Sequence, residues 1–267
     1  MFPSTQDNRA VALTGATGFV GRVLIRKLLT AGISVRALVR TRPEHLSHER
    51  LTLIQGSLDD APALRLLCRN ADHVIHLAGA IAGRTLQDFV RTNAIGTRNL
   101  TEALECDQGR CRMLHISSLA ARMPTLSAYA YSKHLAEQVV KGTRLDWLIV
   151  RPPAIYGPDD PALAPVWKML ARGWLLQAGP STARFSLLHV EDFCEMLMAL
   201  MDTPVWPSQA TICPHDGRPQ GYSWADVARI AESAGDRKIR TIRLNKALLF
   251  AQASVNVQLS RLIGHTP

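Results

Sequence analysis

Short apolar runs alternate with longer amphipathic ones along the first half of the chain. Ala10–Thr14, Ser34–Val39, Leu51–Gln55, His73–Leu77, Met113–Ser117 and Trp147–Val150 are brief and rich in Val, Ile and Leu. That length and composition reads as buried strands. Between them Phe19–Ala31, Pro62–Arg69, Leu86–Glu105 and Ala128–Lys141 carry apolar residues at helical spacing. Gly32 stops the first of these helices. Strands alternating with helices imply a parallel sheet covered on both faces, a Rossmann-type doubly wound α/β fold.

After Arg151 the rhythm changes. Pro152, Pro153, Pro158, Pro161 and Pro165 crowd what reads as a loop. Leu187–His189 reads as a strand, Glu191–Met201 as a helix, and 203–222 is rich in Pro and Gly. Ser223–Ala234 reads as a late helix with Ser223 as its cap. Residues 8–151 are therefore expected to form a dinucleotide-binding core, with 186–202 returning to it. Residues 152–185 and 203–267 are expected to form a small C-terminal substrate-binding lobe. The ending Leu262–Pro267 shows no capping element, so the lobe is expected to be small or cut short.

Composition narrows the class. The chain has 267 residues, 47% hydrophobic and 20% charged, which suits a folded globular protein. No apolar run reaches the ~18 residues of a membrane span, so no integral membrane segment is expected. Met1–Arg9 lacks the apolar core of an export signal. Five cysteines without a CxxC pair argue against a disulfide scaffold or a metal site and for the reducing cytoplasm.

Charge raises a different question. The formal net charge is +9 and the pI about 9.8, a balance that suits a polyanionic partner. No acidic residue occurs between Asp7 and Glu44, a stretch that holds Arg9, Arg22, Arg26, Lys27, Arg36, Arg40 and Arg42. The cations are otherwise dispersed and no nucleic-acid-binding signature is present, so nucleic acid is not the expected partner.

The candidate chemistry begins in that acid-free stretch. Gly15-Ala-Thr17-Gly18-Phe19-Val20-Gly21 follows the first strand and opens the first helix. Glycines there let the backbone turn and approach a pyrophosphate, which the helix N-terminus attracts. An acidic residue at the end of the second strand would hold the NAD ribose. Leu38-Val39-Arg40 stands there instead, followed by Arg42. An arginine can grip a 2′-phosphate through charge-assisted bonds, so NADP(H) is expected, with Arg40 as its ligand and NAD as the alternative. Tyr129 and Lys133 lie four apart on a helix and share a face. A phenol acting near pH 7 needs its pKa lowered by about three units, roughly 4 kcal/mol, which an ammonium and a positive nicotinamide can supply.

These motifs together resemble the short-chain dehydrogenase/reductase superfamily, in its extended, NAD(P)-dependent epimerase/dehydratase branch. Val74–Gly79, Asn93–Leu100, Arg151–Pro158 and His189–Asp192 resemble its later motifs. The resemblance implies Ser118 as the anchor of the substrate oxygen, with Ser117 as backup. It implies that Asn93 holds the active-site helix and a proton-relaying water. It places cofactor contacts on Gly15, Thr17, Gly18, Phe19, Val20, Gly21, Arg40, Ser57, Leu58, Leu77, Ala78, Gly79, Lys133 and Pro152. Ser57 stands where the family has an adenine-binding aspartate. The short interval from Ser118 to Tyr129 implies a trimmed substrate loop.

The implied activity is hydride transfer at a carbinol or carbonyl carbon, with Tyr129 moving the proton and Lys133 holding the cofactor ribose. The alternatives are a nucleotide-sugar epimerase or dehydratase, and a nonenzymatic cofactor-binding subunit resembling the reductase-like accessory subunit of respiratory complex I. A small molecule, whether alcohol, ketone or nucleotide sugar, is the expected partner, and a homodimer the expected assembly. His73 and His76, spaced HxxH on a strand, are expected to pack rather than bind metal.

Overall fold

The computed structural model describes residues 9–43, 46–106 and 111–244. In chain order its elements are β1 Ala10–Thr14, α1 Phe19–Thr30, β2 Ser34–Val39, β3 Leu51–Gln55, α2 Ala61–Cys68, β4 His73–His76, α3 Leu86–Val90, α4 Gly96–Cys106, β5 Arg112–Ile116, α5 Ala128–Lys141 and β6 Asp146–Val150. There follow β7 Ala154–Tyr156, α6 Ala164–Ala171, β8 Trp174–Ala178, β9 Arg184–Phe185, β10 Leu187–His189, α7 Val190–Asp202, β11 Ala210–Ile212, β12 Tyr222–Ser223, α8 Trp224–Gly235 and β13 Arg240–Leu244.

The main sheet has seven strands in the order β11-β6-β5-β4-β1-β2-β3, and every pair in it is parallel. Side chains alternate across it with a period of two. Val11 and Leu13 point to one face, with Val35, Ile75, Leu114 and Leu148, and meet α1 and α7. Ala12 points to the other, with Val74, Met113, Trp147 and Ile149, and meets α2, α4 and α5. The doubly wound sheet expected from the apolar pattern is present.

The described residues divide into two compact units. The first runs to Ile155 and includes Leu188–Pro214; the second holds Tyr156–Leu187 and the chain from His215. The stretch 203–214 was expected in the lobe. It belongs to the first unit because β11 pairs parallel with β6, Ala210 to Ile212 facing Leu148 to Val150. Three apolar residues in a Pro- and Gly-rich stretch leave too little periodicity to announce a strand. In the second unit α6 begins where only a loop was expected, with Pro165 in its first turn. Proline there is a helix start rather than a stop. Helix α8 carries the expected Ser223 cap, completed as a capping box by Asp226. The unit's small core gathers Leu170, Leu175 and Val227. Its remaining predicted portion, 245–267, lies outside the described residues, as does the N-terminal segment 1–8. Among the described residues, no helix is long and apolar enough to cross a membrane, and no cluster of His, Cys, Asp and Glu could hold a metal.

Candidate active site

Because the strands are parallel, the residues that follow them share one edge of the sheet. Gly15 follows β1, Arg40 follows β2, Ser57 follows β3, Leu77–Gly79 follow β4, Ser117 and Ser118 follow β5, and Pro152 follows β6. The sequence-predicted residues of the first unit are thus brought together by topology.

The glycine loop is as tight as a close-approach site requires. Gly15 has φ +74°, and a Cβ on it would lie 2.6 Å from the Ala78 nitrogen. A Cβ on Gly21 would lie 2.1 Å from the Gly15 carbonyl oxygen. Helix α1 has no side-chain cap at Gly18 and no acidic residue in its first turn, so its N–H groups and positive end are left for an anion. This arrangement fits a dinucleotide pyrophosphate. Arg40 is exposed. Ser57 Oγ accepts from the Asp59 nitrogen at 3.2 Å. Leu58 is held in place: Asn99 donates to its carbonyl at 2.8 Å, and its side chain packs on Gly96. Asp59 pairs with Arg91 at 2.8 Å.

The turn after β4 is fixed by a directed chain of hydrogen bonds. Thr97 Oγ1 donates to the Asn93 carbonyl at 2.6 Å, so toward His76 Nε2, at 2.9 Å, it must accept. The other ring nitrogen, Nδ1, is then an acceptor and takes the Thr14 hydroxyl proton at 2.7 Å. Thr14 Oγ1 in turn accepts from the Ala78 nitrogen at 3.2 Å. The pattern assigns a neutral imidazole protonated at Nε2. Burial, and then the charge of Lys133, agree with this by pushing the His76 pKa down to about 3. His73 and His76 pack in the core, as expected: each is buried, and His73 lies against the Trp206 ring at 6.4 Å.

Asn93 sits in a π-helical turn, Arg91–Ile95, between α3 and α4. The sequence reading had one unbroken helix over Leu86–Glu105. Such turns recur at functional positions, and here the Gly96 nitrogen reaches back to the Arg91 carbonyl. Every polar atom of the Asn93 side chain is used. Its Oδ1 accepts from the Ala80 nitrogen at 2.7 Å, and its Nδ2 donates to the Ala80 carbonyl at 3.1 Å and to Ser132 Oγ at 2.8 Å. It ties the β4 turn to α5.

Helix α5 carries Tyr129 and Lys133. Ser127 caps it by accepting from the Ala130 nitrogen at 3.0 Å. The Tyr129 ring meets Phe89 edge-on at 6.3 Å, and Ser118 stands beside its hydroxyl. Burial raises the phenol above its ordinary 10, and the Ser118 side chain opposes that rise. The lowering expected from the lysine is therefore not supplied by the protein alone. Lys133 is buried and its Nζ donates to the Ile116 carbonyl at 2.6 Å. Burial brings its pKa down to about 8, with Glu137 pulling the other way.

Sequence reasoning missed Glu137 and the role of Arg151. Glu137 lies one turn beyond Lys133, fully buried. Arg151, at the end of β6, donates to both its oxygens, at 2.8 and 2.5 Å, and Ser117 Oγ donates at 2.5 Å. Burial pushes the carboxyl up, but the bonds from Arg151 and Ser117 outweigh it and hold the pKa below the usual value. Ser117 is thereby committed, which leaves Ser118 to face Tyr129. The i, i+4 spacing from Lys133 was the available signal for Glu137. Pro152 is buried, and its carbonyl accepts from the Leu119 nitrogen at 2.9 Å, so it supports the Ser118 turn.

Comparison with known proteins identifies the family. Residues 11–210 match the model of the NAD dependent epimerase/dehydratase family. The chain is 40% identical over 267 residues to a ceramide reductase of Caulobacter vibrioides (strain NA1000 / CB15N), covering 99% of this chain and 82% of that protein. It is 33% identical over 175 residues to a 4-hydroxy-2-methyl-3-oxo-4-farnesyl-3,4-dihydroquinoline-1-oxide ketoreductase of Stigmatella aurantiaca, covering 57% of this chain and 52% of that protein. UDP-glucuronic acid 4-epimerase from Bacillus cereus, solved in complex with NAD, superposes with a TM-score of 0.73 at 20% identity, over 88% of this chain and 86% of that one. That likeness is one of fold. With a family match running from the first strand of the main sheet to the last, the chain belongs to the NAD dependent epimerase/dehydratase family and is an NAD(P)-binding enzyme of the extended short-chain dehydrogenase/reductase kind.

Proposed function

We propose that this enzyme is an NADP(H)-dependent reductase that converts a ketone on a ceramide-class lipid to a secondary alcohol. The observation that carries the chemistry is that Ser118 stands beside the phenol of Tyr129, on the helix that also holds the buried Lys133 one turn further on. The substrate class is supported by the 40% identity, over nearly the whole chain, to a ceramide reductase. The preference for NADP(H) is supported by the exposed Arg40 that directly follows β2.

When bound, the nicotinamide supplies the hydride. Gly15, Gly18 and Gly21 would hold the pyrophosphate, and Arg40 the 2′-phosphate. Ser118 donates to the carbonyl oxygen and stabilises the negative charge that grows there. Tyr129 delivers its proton to that oxygen, which becomes the hydroxyl. Lys133 keeps a positive charge beside this helix and holds the cofactor ribose. Asn93 and the Thr14–His76–Thr97 chain fix the turn that faces these groups. The reaction balances as ketone, NADPH and one proton giving alcohol and NADP+.

Tyr129→Phe tests the assignment. NADPH oxidation with a ceramide-class ketone should fall by about 10²–10⁴-fold, while NADPH binding stays as it was. Retained turnover would falsify the role given to Tyr129. Conversion of a UDP-sugar with no net NADPH consumption would favour the epimerase reading instead.

A further inference from the structure

We infer that the second unit contains a binding cavity for a hydrocarbon chain, walled by α6 and α8; the choice of ligand rests on the lipid reading above. The cavity measures about 520 Å³, within the range of small-molecule sites. Trp167 and Leu170 of α6, Val227, Ile230 and Ala231 of α8, and Ile239 line it. Ile230 is 51% exposed, so a large apolar side chain faces open space rather than core. Toward the end of α8 the lining is small, with Ala231, Ala234 and Gly235. A Cβ placed on Gly235 would meet nothing within 4 Å.

Two polar side chains of the lining, Tyr222 and Arg237, bond to other groups of the protein. The Tyr222 hydroxyl donates to Asp216, and the guanidinium of Arg218 covers the Tyr222 ring at 4.7 Å. Arg237 is the one charged side chain among the lining residues, and it donates to the Ala171 carbonyl at 3.3 Å. A nucleotide diphosphate needs several cations or N–H donors aimed at it. This lining offers rings and aliphatic groups instead, which suits a chain of methylenes. Each methylene transferred from water to such a surface strengthens binding about fourfold.

The test uses the full chain without cofactor. A series of straight-chain fatty alcohols displaces cis-parinaric acid, whose fluorescence reports an apolar site. Affinity should rise about fourfold per added methylene until the cavity is filled. Ala234→Phe and Ala171→Phe each put a ring into the space. Either should weaken the longest alcohols on the order of tenfold and move the plateau to shorter chains. An NADPH titration of each variant, unchanged from the parent, shows that the first unit is intact. The inference is overturned if affinity does not depend on chain length, if both variants keep the parent profile, or if binding is seen only after residues 245–267 are removed. Chain-length-dependent binding in a protein that reduces no ceramide-class ketone would support the cavity and overturn the substrate reading alone.

Discussion

Replacing Arg151 by methionine should cost about 3 kcal/mol of stability or more. The Glu137 carboxylate is fully buried and Arg151 is 18% exposed, with their closest atoms 2.5 Å apart. Removing the guanidinium deletes two charge-assisted bonds and leaves a buried anion with the Ser117 hydroxyl as its near donor. Such uncompensated charges cost about 3–5 kcal/mol. Lys141 lies 3.9 Å away and is 37% exposed, so it recovers at most about 1 kcal/mol. Against a total of roughly 5–15 kcal/mol for a domain, the loss is a large fraction. Urea unfolding measures it, followed by a probe in the first unit. The double variant Glu137→Leu, Arg151→Met should regain most of the loss, because an apolar pair has no charge to desolvate.

The pH dependence has a definite sign. The Glu137 pKa is held below its ordinary 4.5. The pair's stabilisation is therefore complete above that value and is lost as pH falls through the folded pKa. Arg151→Met should remove this loss, since its carboxyl no longer has a partner. A cost under about 1 kcal/mol, or a double variant no more stable than the single one, would refute the reasoning.

Gly21→Ala places a methyl where only 2.1 Å separates it from the Gly15 carbonyl; the loop must move, and NADPH affinity by fluorescence titration should fall at least about tenfold. Unchanged affinity would mean that the loop does not hold the cofactor. Arg40→Asp should weaken NADPH binding by about 10–100-fold, the worth of a charged hydrogen bond, and leave NADH binding equal or better; an unaltered NADPH preference in steady-state kinetics would remove Arg40 from the site. Lys133, with its pKa near 8, loses its proton as pH rises through that value, so kcat/KM should decline above it. Glu137 holds that proton on, and Glu137→Gln should move the decline to lower pH. A midpoint that stays put or rises would show that the limb belongs to another group.

The layout of the first unit was legible because it depends on short-range patterns. Val11, Ala12 and Leu13 alternate between the two faces of the sheet, and that alternation is written in the strand itself. The Tyr129–Lys133 spacing is likewise set by one turn of helix, and the glycine loop by Gly15 and Gly21, two positions that cannot carry a Cβ. The second unit was less legible. Two of its strands, β9 and β12, are only two residues long, too short for periodicity to mark.

What the chain alone left open is decided by contacts between distant residues. Residue type alone does not separate Ser117 from Ser118, which the family resemblance ranks first; Glu137, held by Arg151, claims Ser117 and leaves Ser118 beside Tyr129. The π-helical turn at Asn93 depends on where the Ala80 backbone and Ser132 stand. The tautomer of His76 depends on two threonines, 62 and 21 residues away. Burial raises the Tyr129 phenol and lowers the Lys133 ammonium, although the sequence suggested only their mutual attraction. Local sequence determines which elements form and which side chains share a face. Desolvation and hydrogen-bond partnership exist only once the elements pack, so the protonation states and the commitment of Ser117 to Glu137 belong to the tertiary structure.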